Sequence, residues 1–156
     1  MQLSEHFTLD EFTASEVASR KGVINVPPPE FIEHMIRLCT TILEPLRCEI
    51  KSPIVVTSGY RSIELNREVK GARNSYHTLG CAADIIAPGI PPYNLCKTVQ
   101  AMKLPYDELI LEFGAWTHVS CPVSPSLAPT RNEYSYWLSP TKSRRLASGI
   151  TQEHPA

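Results

Sequence analysis

The sequence predicts an α+β domain with a small, mainly antiparallel sheet flanked by helices. Apolar residues recur at helical spacing over one long segment, from Phe31 to Leu46, whereas four short apolar runs bounded by turn residues have the length of strands. These segments follow one another without a regular βαβ repeat, so the class is α+β. A chain of 156 residues has the length of one domain with its own hydrophobic core.

The N-terminal third is predicted to be helical. Thr8 and Glu11 have the spacing of a capping box for a first short helix. Ser15 begins a second short helix, which ends before Gly22. The long amphipathic helix that follows is predicted to end near residues 45–48, and its apolar stripe is expected to lie in the core.

Strands and helices are mixed in the central part of the chain. Strands are predicted over 53–57, 82–86, 109–113 and 116–120. Ser62 is the predicted N-cap of a short helix that runs through Lys70. A further helix is predicted over 91–102, between the second and third strands.

The C-terminal part differs from the rest in composition. Residues 122–156 are rich in Pro, Ser and Thr, and we interpret them as an extension of a domain that covers residues 1–121. Three aromatic residues indicate that part of the extension packs on the same domain: Tyr134, Tyr136 and Trp137. Its basic cluster is interpreted as a solvated segment rather than a binding arm: Lys142, Arg144 and Arg145.

Charge and hydropathy restrict the partners and the location of the protein. The formal net charge of −1 gives no general attraction to nucleic acid, and no apolar run approaches membrane-spanning length. The first residues lack the basic lead and apolar core of a signal peptide, so we expect synthesis in the cytoplasm. The 5 cysteines are scattered and odd in number, which is typical of a reducing compartment. We expect a monomer.

Two histidines and an aspartate carry the strongest functional signal: His77, Asp84 and His118. Two imidazoles and one carboxylate suit zinc and leave its fourth position for water, whereas a closed structural site would use more cysteine. Alone, Asp84 would be interpreted as the exposed face of an edge strand, and His118 as a hydrogen-bonded core residue. Because an unpaired carboxylate in the apolar run 82–86 is costly, the three residues together favour a metal site.

Three motifs, in this order along the chain, carry a family resemblance. They are Ser58-Gly59-Tyr60-Arg61-Ser62, Ser75-x-His77-x-x-Gly80-x-Ala82-x-Asp84-Ile85 and Glu112-x-x-x-Trp116-x-His118-Val119-Ser120. They resemble the motifs of the LAS-type zinc peptidases, which include D-alanyl-D-alanine carboxypeptidases and phage L-alanyl-D-glutamate endopeptidases and share their fold with hedgehog domains. The resemblance covers roughly residues 3–121 and implies that fold. It also implies that His77, Asp84 and His118 are ligands of Zn²⁺.

The resemblance further implies catalytic roles. Glu112, six residues before the last histidine ligand, would be the general base. Arg61 would hold the carbonyl oxygen or a carboxylate of the substrate. Many relatives place the glutamate three residues before that histidine, where this chain has Ala115. Glu108 and Asp107 are the alternative bases, although both are expected at the entry of a strand.

Each implied substrate contact also has a structural interpretation. Arg61 would otherwise form an ion pair with an acid such as Asp84 or Glu64. Ser75 would either touch the substrate or bond the backbone of its own loop. Tyr60 and Trp116 would either form a wall of the cleft or pack in the core.

The distance between Glu112 and His118 predicts a chain reversal. In one straight strand the two residues would lie about 20 Å apart and could not serve one water molecule. Gly114 permits a hairpin at this point. For Glu112 and His118 to lie opposite each other, the loop would have odd length and would be centred on Ala115.

We interpret the chain as a zinc metallopeptidase that cuts a bond in peptidoglycan stem peptides, as a carboxypeptidase or an endopeptidase. Its short form suits a phage endolysin or a small bacterial enzyme of cell wall degradation, acting at the wall after release or from a virion. The alternative is a zinc-bearing binding or virion-associated module with little activity. Glu112 and Arg61 favour the enzyme, whereas Ala115 and the absent export signal favour the module. A third interpretation, a structural protein without metal, would require that all three candidate ligands occur in these motifs by coincidence.

Overall fold

The structure, a computed structural model, describes residues 1–139 and 141–152. The helices are α1 (Leu9–Thr13), α2 (Glu16–Lys21), α3 (Pro29–Leu38), α4 (Glu44–Ile50), α5 (Ile63–Glu68) and α6 (Pro92–Ala101), with a π-helical segment at Cys39–Leu43 and a 3-10 turn at Tyr76–Leu79. The strands are β1 (Val55–Ser58), β2 (Ala82–Ile86), β3 (Glu108–Glu112), β4 (Trp116–Ser120), β5 (Asn132–Leu138) and β6 (Arg144–Ser148).

Within the described ranges the strands form a single mixed sheet in the order β1-β2-β4-β3-β5-β6. Neighbouring strands are antiparallel except β3 and β5, which are parallel. The predicted α+β class with a mainly antiparallel sheet is therefore confirmed. Strands β5 and β6 were not predicted from the sequence, although the alternating aromatic run in β5 is typical of a strand.

The predicted caps form as the sequence indicates. The Thr8 side chain accepts a hydrogen bond from the backbone N–H of Glu11, and the Glu11 carboxylate accepts one from the N–H of Thr8 at 2.7 Å. The Ser15 and Ser62 hydroxyls cap α2 and α5 by accepting hydrogen bonds from the N–H groups of Ala18 and Leu65. Gly22 ends α2 in the left-handed conformation.

The predicted long helix continues further than expected. Segments α3, Cys39–Leu43 and α4 follow one another directly from Pro29 to Ile50, beyond the end predicted near residues 45–48. A proline inside a regular α-helix removes one hydrogen bond and crowds the preceding turn. Here Pro45 follows a π-helical turn, so it lies at the first turn of α4 instead of in a regular helix interior.

The two faces of the sheet have different roles because side chains alternate along a strand. One face packs against the helices and carries buried apolar residues, among them Ala83, Ile85, Leu109, Leu111 and Val119. The residues between them, including Asp84, Glu112 and His118, therefore share the opposite face. No helix of the described residues is both long and apolar enough to span a membrane.

Candidate functional site

The three predicted metal ligands meet on the second face of the sheet. Asp84 on β2 lies directly opposite His118 on β4, and His77 reaches them from the 3-10 turn. Asp84 Oδ1 lies 3.2 Å from His77 Nε2 and 3.0 Å from His118 Nδ1. The two histidine nitrogens are 3.2 Å apart. All three residues are buried.

This triangle of atoms fits one small metal ion. In tetrahedral zinc sites the metal–ligand distances of about 2.0–2.1 Å place neighbouring ligand atoms about 3.3 Å apart. The observed separations of 3.0 to 3.2 Å are close to that value. In the described part of the chain, the group that offers these atoms consists of two histidines and one aspartate. Its donor chemistry suits zinc with an additional position for water or substrate.

The orientation of His77 is set by the motif that precedes it. The Nδ1–H of His77 donates to the backbone carbonyl of Gly59 at 2.7 Å, which leaves Nε2 as the ligand atom. Gly59 must be a glycine, because a Cβ atom there would lie 2.6 Å from the carbonyl oxygen of Phe12. The Ser-Gly-Tyr-Arg motif therefore helps to position a ligand through its backbone.

The orientation of His118 is set by Glu108. His118 Nε2 lies 3.2 Å from Glu108 Oε1, which leaves Nδ1 directed at Asp84. From the sequence, Glu108 was predicted only as an alternative base, whereas in the structure it contacts His118. Strand pairing explains the contact: Glu108 lies opposite Ser120 and therefore on the same face as His118, two residues away.

Arg61 forms the ion pair that the sequence left as an alternative. Its Nη2 lies 3.3 Å from Asp84 Oδ2, the oxygen that does not contact the histidines. Its Nε donates to Ser58 Oγ at 3.2 Å and its Nη1 to Asn66 Oδ1 at 3.3 Å. Arg61 also lines the cleft, but each of its three nitrogens already has a protein acceptor. These contacts hold Asp84 in place.

Burial and mutual contact shift the pKa values of the ligands. Burial alone would raise the pKa of Asp84, but His77 and His118 hold it well below its usual range. Burial lowers the pKa of His77. Burial also opposes the charged form of His118, but hydrogen bonds to Asp84 and Glu108 outweigh it and raise the pKa of His118 to about 10. Without metal, His118 is therefore a protonated imidazole between two carboxylates.

The hairpin between β3 and β4 is present but centred on a different residue. Glu112 pairs with Trp116, so the loop consists of residues 113–115 and its centre is Gly114, with φ +64°. The predicted centre at Ala115 is wrong. Glu112 nevertheless shares the face of His118, because an offset of two residues preserves the face. The two are diagonal neighbours with backbones about 7–8 Å apart, within reach of a glutamate side chain.

Glu112 and the ligands line one cleft of about 280 Å³. Burial raises the pKa of the Glu112 carboxyl, and the negative charge of Asp84 raises it further. The other alternative base, Asp107, is occupied elsewhere: it accepts hydrogen bonds from the Tyr76 hydroxyl at 2.8 Å and the Thr130 N–H at 2.9 Å. Of the carboxylates in the cleft, Asp84 and Glu108 contact a histidine. Among the described hydrogen bonds, none joins Glu112 to His77 or His118.

The other three candidate substrate contacts have different locations. Ser75 lines the cleft, and its hydroxyl also accepts a hydrogen bond from the N–H of His77 at 3.3 Å. Trp116 lines the cleft as well, and its buried Nε1 has no acceptor among the described residues. Tyr60 does not belong to the cleft wall: it is 6% exposed and packs against Phe31, with ring centroids 6.2 Å apart. Tyr60 is therefore a core residue, and its predicted role as a substrate contact is not supported.

The structure also adds residues that the sequence analysis did not assign to the site. Tyr136 on β5 and Arg144 on β6 line the cleft, although both belong to the C-terminal extension. The side chain of Arg144 is exposed, in agreement with a solvated segment, and it also lines the cleft. Cys81 and Cys121 are buried and lie outside the group formed by His77, Asp84 and His118.

Comparison with known proteins gives these residues a family context. A sequence model of the family described as Peptidase M15 matches residues 5–120. Curated relatives include the peptidoglycan L,D-endopeptidase MepK of Escherichia coli (strain K12) and that of Shigella flexneri, each 38% identical over 58 residues. The alignments cover 34% of this chain and 32% of each relative, so the chain spans about a third of the length of the curated relatives it matches. The family segment includes the three ligands and Glu112, but neither Tyr136 nor Arg144.

Proposed function

The chain belongs to the peptidase M15 family, and on this basis we propose that it is a zinc-dependent peptidase that hydrolyses a bond in the stem peptides of peptidoglycan. The observation that carries the proposal is the buried triangle of His77, Asp84 and His118 in a cleft that Glu112 also lines. The substrate class is supported by the relatives, which are peptidoglycan endopeptidases by name.

Three side-chain atoms would hold the metal: His77 Nε2, Asp84 Oδ1 and His118 Nδ1. A bound zinc ion supplies a Lewis acid that polarises a carbonyl oxygen and lowers the pKa of a water molecule. The protein's own contribution is to present the three atoms already close together. Gly59 and Glu108 hold the two imidazoles from their far sides, and Arg61 holds the second oxygen of Asp84.

Glu112 is the proposed general base. Its carboxylate lines the cleft, and the raised pKa that follows from its burial brings its proton affinity nearer to that needed at neutral pH. In the proposed reaction a Glu112 oxygen accepts the proton of the attacking water. The same oxygen then delivers that proton to the amine nitrogen that leaves.

Trp116 is a proposed substrate contact. A buried N–H group without an acceptor costs free energy unless a ligand supplies one. The indole Nε1 of Trp116 is such a group, and Trp116 lies directly opposite Glu112 in the hairpin. A backbone carbonyl of a bound peptide would satisfy this donor beside the proposed base.

The test is to incubate zinc-loaded protein with purified sacculi and to identify new amino and carboxyl ends by mass spectrometry. New D-Glu amino ends would indicate an endopeptidase that cuts after L-Ala, and released D-Ala would indicate a carboxypeptidase. Glu112→Gln is the matched control, because it keeps the size of the side chain but removes its basicity. Turnover should fall at least ~100-fold in this variant with zinc retained.

Three outcomes are decisive. New ends with the original protein but not with Glu112→Gln support the proposal. Equal turnover by both proteins would remove Glu112 from its role as base. Stoichiometric zinc without any new ends would overturn the peptidase proposal and favour a zinc-bearing binding module.

A further inference from the structure

The C-terminal strands β5 and β6 bring a second arginine to the cleft. Tyr136 on β5 is the register neighbour of Glu112 on β3, and it pairs with Leu146 on β6. Arg144 lies two residues from Leu146, so it shares the face that carries Glu112 and His118. A residue outside the segment matched by the family thus stands beside the proposed base.

Among the described residues, the side chain of Arg144 is held by aromatic rings and has no hydrogen-bond acceptor. Its guanidinium carbon lies 3.7 Å from the centre of the Tyr136 ring and 6.0 Å from that of Phe113. An arginine stacked on a ring keeps its N–H groups available, because they point outward in the plane of the guanidinium. The stack therefore orients the group without using its donors.

The contact with Glu112 also leaves these donors available. Arg144 Nη2 lies 3.8 Å from Glu112 Oε2, which is within ion-pair range but too long for a hydrogen bond. Arg61 differs, since its Nε, Nη1 and Nη2 each lie within 3.3 Å of a side-chain oxygen. In the described residues the side chain of Arg144 is 51% exposed. Of the two arginines at the cleft, Arg144 is the one with donors to offer a ligand.

We infer that Arg144 binds a carboxylate of the substrate and makes the enzyme selective for peptides that carry a free acid near the scissile bond; this inference rests on the proposed function. Arginine presents paired N–H groups that match the two oxygens of a carboxylate. The cleft lining includes three carboxylates, from Asp84, Glu108 and Glu112, and also the cations Arg61 and Lys70. The charge of Arg61 is directed at Asp84, with which it forms an ion pair. Arg144 supplies a local positive charge where the substrate enters beside Glu112.

The test uses a synthetic stem peptide with free carboxylates at D-Glu and at the C-terminus, together with two versions in which one of these carboxylates is an amide. Steady-state kinetics are measured for the zinc-loaded original protein and for Arg144→Gln. The original protein should prefer the free acid over one of the amides by about 10-fold or more in kcat/KM. Arg144→Gln should lose this preference, with the change mainly in KM for the acid. Arg144→Lys should retain part of it, because it keeps the charge but not the planar pair of donors.

Two further variants serve as controls. Arg145→Gln removes the same charge from the opposite face of β6 and should keep the preference. Lys70 also lines the cleft, and Lys70→Gln should likewise keep it. Loss of the preference in Lys70→Gln with retention in Arg144→Gln overturns the inference. The inference is also overturned if Arg144→Gln loses activity equally toward the free-acid peptide and the two amide versions.

The same measurements separate this inference from the proposed function. If the original protein cuts none of the peptides and no sacculi, the peptidase proposal fails and this inference fails with it. If the original protein cuts the peptides and Arg144→Gln shows unchanged selectivity, only the inference about Arg144 fails.

Discussion

Asp84 and His118 face each other across two antiparallel strands, with Asp84 Oδ1 3.0 Å from His118 Nδ1. Two of the three proposed ligands therefore come from one hydrogen-bonded ladder. The third, His77, is tied to the carbonyl of Gly59 at 2.7 Å. Because each ligand is held by the fold, the three atoms need little rearrangement to bind a metal.

The first prediction concerns zinc content. Protein purified without added metal should contain about one zinc ion per chain, and His118→Ala should lose most of it, because one of three ligands is removed. Elemental analysis checks this. Zinc should also raise the unfolding temperature, since the site forms only in the folded chain. Full zinc retention by a variant that lacks both His77 and His118 would refute the ligand assignment.

The second prediction concerns Glu108. Glu108→Ala should weaken zinc binding about 10- to 100-fold, because His118 loses the partner that holds its Nε2–H. Glu108→Gln can still accept that hydrogen bond through its amide oxygen and should lose less. Competition with a chelator measures both affinities without any assay of activity. Equal affinities for Ala, Gln and the original residue would show that Glu108 does not position the ligand.

The third prediction concerns the release of a proton when zinc binds. Contacts with Asp84 and Glu108 raise the pKa of His118 to about 10, so at pH 7 metal-free His118 is protonated. A metal can bind Nδ1 only when that proton leaves, so zinc binding at pH 7 should release about one proton from His118. Affinity should accordingly rise with pH. Calorimetry in buffers of different ionisation enthalpy measures the release, and a value near zero would contradict the assigned protonation.

The fourth prediction concerns the stability of the metal-free protein. Burial raises the pKa of Glu112 in the folded state, so between its unfolded and folded pKa values the folded chain binds more protons. The free energy of unfolding contributed by this residue therefore falls as the pH rises through that window. Glu112→Gln removes the effect and should be more stable than the original protein at pH 7. Below pH 4 the advantage should disappear.

Thermal unfolding after chelation checks this difference. The comparison must be made at both pH values, because a constant difference would indicate a packing effect of the substitution instead of a titration. A variant less stable than the original protein at pH 7 would show that the Glu112 carboxylate is better satisfied than its burial indicates.

The α+β class, the helix caps and the grouping of His77, Asp84 and His118 could all be predicted from the sequence. Short-range chemistry explains this success. Capping residues such as Thr8 and Ser62 act within their own turn, and Asp84 is conspicuous because a carboxylate in an apolar run needs a partner. The spacing of the motifs then identified the family.

The arrangement of these residues depends on contacts between distant parts of the chain. The hairpin register, which centres on Gly114 and makes Glu112 a diagonal neighbour of His118, depends on the pairing of whole strands. The contact of Glu108 with His118 follows from that same register. Arg144 reaches the cleft because β5 pairs in parallel with β3 and brings β6 beside it. A sequence pattern specifies which side chains share a face of a strand, but the order and register of strands depend on packing between residues far apart in the chain.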